Sequence, residues 1–194
     1  MAKLYFRYGA MNSGKSTGLL QAAFNYEERG QRVLLAKPGV DTKGDGDIVS
    51  RLGVTRTVDL VFAPSDDVRT TVLASGPVDC LLVDEAQFLA RAQVDDLLRL
   101  AVLDGIPVLA YGIRTDFRTE AFPGSARLME LAHTLEELKT ICRCGRKAMF
   151  NARLVDGGFV FDGSQVAIDG VDVTYESLCG NCYLQESDGR LDGN

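Results

Sequence analysis

The octapeptide "GAMNSGKS", Gly9 to Ser16, limits what this chain can fold into more than any other stretch. It fits G-x-x-x-x-G-K-[S/T] at every fixed position, with strand-like "KLYFRYGA" before it and helix-like "KSTGLLQAAFNYEERG" after it. Gly9 and Gly14 let the backbone bend so that successive N–H groups point inward. The helix that opens near Lys15 adds the positive end of its dipole. Residues Gly9, Ala10, Met11, Asn12, Ser13, Gly14, Lys15, Ser16 and Thr17 are therefore read as a cradle for the phosphates of a nucleoside triphosphate. Lys15 is expected to reach the β and γ phosphates, and the Ser16 hydroxyl to be a Mg²⁺ ligand.

Such a loop needs a carboxylate from a neighbouring strand. "CLLVDE" supplies Asp84 after a continuous apolar run, the pattern of a strand covered on both faces. Glu85, the next residue, is ambiguous from local sequence. In a hydrolase or motor it would orient water, and in a kinase it would accept the proton of an acceptor hydroxyl.

Around these motifs the first two thirds alternate. "RVLLAKP" and "IPVLAYGI" are further strands, "AQVDDLLRLAVLDG" is a helix ending at Gly105, and "SARLMELAHTLEEL" is helical. The order predicts an α/β domain over 1–138, with a parallel sheet and helices on both faces. The glycine-rich stretch 38–53 is expected to be a mobile loop. From Lys139 the texture changes to cysteine pairs and short alternating runs such as "GGFVFDGSQVAI". That reads as a small β-rich domain over 139–186, followed by a flexible polar tail, 187–194.

Cys142 and Cys144 stand 34 intervening residues before the pair Cys179 and Cys182. Two close pairs bridged by a hairpin-sized insert suit a tetrahedral Cys₄ zinc site, structural because four thiolates close the shell; iron–sulfur is the alternative on ligands alone. Cys80 is expected to be a small buried core residue, and the one histidine, His133, a helix-surface residue.

The formal net charge is −6, and no basic stripe is visible for gripping nucleic-acid phosphates. No apolar run approaches the roughly 18 residues of a membrane helix, and the N-terminus lacks a signal peptide's apolar centre, so the expected location is cytoplasmic. A nucleic-acid-stimulated ATPase and a nucleotide-gated zinc module remain readings of the motifs themselves.

Five blocks in succession, "GAMNSGKST", "DEAQF", "YGIRTDFRTEAFPGS", "ELKTICRCGRKA" and "YESLCGNCY", resemble the zinc-containing cytosolic thymidine kinase family, over nearly the whole chain. The resemblance implies a RecA-like P-loop sheet with a zinc-binding C-terminal domain carrying a lasso-like loop. It implies γ-phosphate transfer from ATP to the 5′-hydroxyl of thymidine with Mg²⁺, and a homotetramer. On that pattern Glu85 matches the catalytic base, Asp84 the acid that organises Mg²⁺, and Gln87 and Phe88 the pair beside the nucleotide and nucleoside. Met11 and Ile113 match substrate-facing positions, and Phe117 and Phe122 aromatics that line or support the thymine pocket. Tyr175 matches the tyrosine that closes over the nucleoside. Val166, Ala167, Ile168, Asp169 and Gly170 fall in the lasso, whose backbone reads the base. Three departures stand out: Asp169 where the family has a glycine, Lys43 where arginine is usual, and Cys182 where some bacterial relatives have histidine.

Overall fold

Three strands in this chain, β2 (Val33–Pro38), β6 (Cys80–Val83) and β7 (Val108–Gly112), are buried at every position, as their continuous apolar sequences require. In the computed structural model, which describes residues 1–39, 47–50, 53–165 and 173–191, they form the middle of one six-stranded sheet. The chain enters through β1 (Leu4–Tyr8), α1 (Lys15–Glu27) and β2, then makes a hairpin of β3 (Asp47–Val49) and β4 (Thr55–Thr57). It continues through β5 (Leu60–Phe62), α2 (Val68–Ala74), β6, a 3₁₀ turn (Ala86–Phe88), α3 (Arg91–Val102), β7, α4 (Pro123–Leu131) and β8 (Thr134–Glu137). The sheet order is β5-β2-β6-β7-β1-β8, and every neighbouring pair is parallel.

Two aliphatic clusters lie on the two faces. One joins Phe6, Leu34, Leu81 and Val83 to Val94, Leu97 and Leu100 of α3 and to Leu128 of α4. The other joins Leu35, Leu82, Leu109 and Tyr111 to Leu19 and Ala23 of α1, with Ile48 of the hairpin. Cys80 belongs to the second cluster and is fully buried, as expected from its apolar strand.

Four sequence expectations change. The carboxylate-bearing strand β6 is not the neighbour of β1, because β7 lies between them. The loop after β1 still reaches it by crossing the end of β7, where Gly9 N–H donates to Gly112 O at 3.3 Å. Gly112 also leaves room for Gln87, since a Cβ there would stand 2.7 Å from Gln87 Oε1. The stretch "SARLMELAHTLEEL" is not all helix: α4 ends at Leu131, and Thr134–Glu137 adds a strand to the open edge of β1. Tertiary pairing overrides the helical period there. His133 lies in that connection rather than on the helix, and its Nδ1 accepts the Leu4 N–H at 3.0 Å. Finally, part of 38–53 is strand β3, while residues 40–46, including Lys43, lie outside the described residues. Strand β5 and helix α2 come from a stretch in which no periodic pattern stands out; α2 starts where the Asp67 side chain accepts the Thr70 N–H at 2.7 Å.

Beyond β8 the chain forms a β9 (Thr140–Ile141)–β10 (Lys147–Ala148) hairpin and an antiparallel sheet of order β12 (Gly158–Val160)–β11 (Phe150–Val155)–β13 (Val173–Leu178). It then enters α5 (Gly180–Glu186). The stretch expected as a tail, 187–194, opens with a turn: Arg190 N–H donates to Ser187 O, and Ser187 is buried. Residues 192–194 lie outside the described residues.

Candidate active site

The phosphate loop and the two acids of the candidate site sit at the C-terminal ends of β1 and β6, where a parallel sheet leaves a crevice. The Gly9–Ser16 loop turns through Asn12 (φ 66°) and Gly14 (φ 78°) before α1 begins. A Cβ on Gly9 would stand 2.5 Å from Leu138 O, so only glycine fits there. Lys15 is buried, and its Nζ donates to Ala10 O at 3.0 Å and lies 3.4 Å from Ser13 Oγ, drawn across the inside of the loop. Thr17 follows on the first turn of α1 and is half-buried.

Ser16 Oγ donates to Asp84 Oδ2 at 3.1 Å, so the loop and the end of β6 meet although they are not adjacent strands. Burial, then the neighbouring Glu85 charge, pushes the Asp84 carboxyl up to about 7. A hydroxyl and a desolvated carboxylate side by side are a hard-oxygen donor set that fits Mg²⁺, and a cation there would restore the ionised form.

Glu85 takes a left-handed backbone conformation (φ 49°), a costly one for a side-chain-bearing residue. Gln87 holds it. Gln87 is buried, its Oε1 accepts the Ile113 N–H at 3.2 Å, and its Nε2 therefore faces and donates to Glu85 Oε2. The turn itself is clamped by α4, since a Cβ on Gly124 would stand 2.4 Å from Ala86 O. Ser125 Oγ donates to Ile113 O at 2.6 Å. Phe88 is half-exposed and packs edge-on to buried Phe122, with centroids 5.3 Å apart.

The C-terminal residues reach the same crevice. Asn151 Oδ1 accepts the Met11 N–H at 2.7 Å, and Ser177 Oγ donates to Met11 O, so one residue of the phosphate loop is held at both its N–H and its carbonyl. Those two residues face each other across the β11–β13 ladder. Phe117 is buried; its carbonyl accepts from the Tyr183 hydroxyl at 2.6 Å, and its ring lies under the Arg153 guanidinium. Tyr175 joins the same group through Arg153 Nε at 3.1 Å. Asn151, Ser177, Arg153 and Tyr183 were not among the residues marked from sequence. The available signal was weak: "NAR" places Asn151 and Arg153 on one strand face, but nothing local says that this face turns inward. Val166, Ala167, Ile168, Asp169 and Gly170 lie outside the described residues.

The four cysteines converge. Their Sγ atoms all lie within 4.8 Å of one another, and Cys144 Sγ is 3.6 Å from Cys179 Sγ. Tetrahedral sulfur ligands about 2.3 Å from a metal would be roughly 3.8 Å apart, so the cluster fits such a centre. The pairs come from the β9–β10 turn, closed by Gly145 N–H to Cys142 O at 2.8 Å, and from the N-terminus of α5. The Cys182 N–H, 3.5 Å from Cys179 Sγ, lowers the Cys179 thiol to about 7, while the crowding thiols, Cys144 foremost, push Cys182 up to about 12. Crowded thiols that cannot all ionise alone are what a cation would relieve.

The sequence model of the family described as "Thymidine kinase" matches residues 2–183. The chain is 49% identical over 184 residues to the thymidine kinase of Ruegeria pomeroyi, covering 92% of each protein. It is 51% identical to that of Idiomarina loihiensis, covering 92% of this chain and 94% of the relative. With that of Pasteurella multocida it shares 48% identity over 96% of this chain and 98% of the relative. A family match over residues 2–183 and near-half identity to thymidine kinases over almost the whole chain mean that this chain, with its phosphate loop, acidic turn and thiol cluster, belongs to the thymidine kinase family.

Proposed function

We propose that this protein transfers the γ-phosphate of ATP to the 5′-hydroxyl of thymidine, giving dTMP and ADP. The observation that carries the reading is the division of labour between adjacent acids. Asp84 is turned to the loop hydroxyl, while the Glu85 carboxylate is held by Gln87 of the same turn.

In the transfer, Glu85 accepts the proton of the attacking hydroxyl as its oxygen bonds to the γ-phosphorus. The bond from phosphorus to the β-bridging oxygen breaks, and its electron pair leaves with ADP. Lys15 and the loop N–H groups stabilise the charge that gathers on the transferring phosphoryl oxygens. Ser16 and Asp84 would hold Mg²⁺, which when bound neutralises β- and γ-phosphate oxygens. Met11, Phe88, Ile113, Phe117, Phe122 and Tyr175 form or back the nucleoside pocket, and Gln87 acts by orienting Glu85.

The same reading assigns the Cys₄ cluster to structural zinc, and divides the chain into an ATP-binding part (1–138), a zinc-binding part (139–186) and a tail (187–194). It places the enzyme in the cytoplasm as a homotetramer. Among the described residues no helix is long and apolar enough to cross a membrane.

The test is to incubate purified protein with Mg-ATP and a panel of deoxynucleosides and to identify the monophosphates formed. dTMP is expected as the main product. ATP loss that needs no nucleoside and rises with single-stranded DNA would overturn the proposal in favour of a nucleic-acid ATPase. Elemental analysis should find one zinc per chain, and light scattering a tetramer.

A further inference from the structure

Arg153 is a buried cation, 5% exposed, on the middle of β11. Its Nη1 donates to Ser164 O at 2.9 Å, its Nη2 to Gln165 O at 3.0 Å, and its Nε to the Tyr175 hydroxyl at 3.1 Å. The flat face of the same group lies 3.7 Å from the centroid of the Phe117 ring and 5.6 Å from that of Tyr175. Among the described residues no carboxylate pairs with it.

A buried guanidinium answered by neutral oxygens and ring faces is a poor way to gain stability, since an apolar side chain of similar size would fill the space at lower desolvation cost. It is a good way to fix geometry. Only a planar fork can direct three donors at three separate oxygens while stacking on a ring, and lysine offers one point of charge. We propose that Arg153 is a positioning residue for the nucleoside. It sets Phe117, Tyr175 and the Ser164–Gln165 main chain as one rigid group, so that the pocket wall is formed before thymidine arrives. Phe117 then acts as the base plate under the guanidinium, because that ring face is covered.

The ladder explains why this position does the work. Arg153 pairs with Tyr175, and two residues along, on the same strand face, Asn151 pairs with Ser177. One rung holds the backbone N–H and carbonyl of Met11 in the phosphate loop, and the next holds the aromatic pair. Loosening the second rung should therefore disturb the nucleoside and leave ATP alone.

The proposal rests on the reading of this site as a thymidine kinase. It is tested by steady-state kinetics on the parent, Arg153→Lys, Tyr175→Phe and the double variant, with thermal midpoints measured alongside. Arg153→Lys should raise KM for thymidine about tenfold or more, and leave KM for ATP and kcat within about threefold. If Arg153 works through Tyr175, the double variant should be no worse for thymidine than Arg153→Lys alone. A thymidine KM within about twofold of the parent overturns the proposal, as do fully additive effects or equal rises in both KM values. Should Arg153→Lys fail to fold, Arg153→Gln takes its place: a raised thymidine KM with unchanged ATP KM supports the proposal, and two unchanged constants overturn it. A parent that forms no dTMP is a different failure, that of the functional reading itself, and removes this proposal with it.

Discussion

The parallel sheet and the C-terminal module meet at one crevice, yet they hold their shapes by different means. The sheet is sandwiched between two aliphatic clusters drawn from strands, α1, α3 and α4. The module's buried cluster is Cys142, Ala148, Ala152, Leu178, Cys179, Cys182 and Tyr183, three of them thiols that converge on one point. So small an apolar set cannot carry a module alone, and a bound metal is the usual supplement. Precision therefore has a different origin in each half. The phosphate chemistry stands on strand ends fixed by a large core. The side proposed for the nucleoside stands on cross-links: the cysteine cluster, the Tyr183–Phe117 bond, and the hydrogen bonds that join Asn151 and Ser177 to Met11.

The largest effect should come from the sheet's half. Glu85→Gln removes the proposed base and should lower kcat by about 10²–10⁴-fold while ATP binding measured by calorimetry stays near parental. Parental turnover in that variant would move the base elsewhere.

The contrast between halves is put most directly by Cys179→Ser, or by stripping the metal with a chelator. We expect loss of the bound metal, loss of thymidine saturation and a separate low-temperature unfolding step, with the sheet still melting cooperatively and still binding ATP. A single transition that takes both halves together would break the comparison.

A smaller effect sharpens the seam between them. Asn151→Ala leaves the Met11 N–H without its partner, a loss of about 1–3 kcal/mol. Because Met11 belongs to the phosphate loop and adjoins the nucleoside side, KM should rise for ATP and thymidine together, by about tenfold. Kinetics that separate the two substrates would contradict a shared clamp.

The last effect is read in stability alone and, in metal-free buffer, should leave the contrast between the two halves unmoved: it is a trade within the sheet. Asp84 is raised to about 7 by burial, so its ionisation costs the folded state increasingly as pH climbs from about 4 to about 7 in metal-free buffer. Asp84→Asn removes that cost. It should be more stable than the parent at pH 8, by at most on the order of 4 kcal/mol, and no more stable at pH 4. Denaturant titrations at the two pH values check the sign. Equal stability gaps at both would assign the effect to packing instead of charge.

Local motifs explain which parts of this picture were legible early. The phosphate loop, the D-E pair and the two cysteine pairs each compress their chemistry into a few adjacent residues, so the covalent chain itself places most of the groups together. The continuous apolar runs of β2, β6 and β7 likewise announce buried parallel strands. By contrast, Thr134–Glu137 carries a helix-compatible pattern and becomes a strand because β1 has an unpaired edge beside it. Residues 54–79, with β5 and α2, carry no periodic signal strong enough to mark them.

The order of residues alone specifies the inventory of candidate reacting groups and the architecture that a P-loop between strand and helix demands. Tertiary structure alone decided how those groups are aimed. It set β7 between the loop and Asp84, made Gln87 the holder of Glu85, and turned the Asn151–Arg153 face of β11 inward. The physical reason is that spacing along a chain specifies which residues are neighbours, whereas orientation depends on which strand edge is open and which face is covered. Those are settled only when distant segments pack.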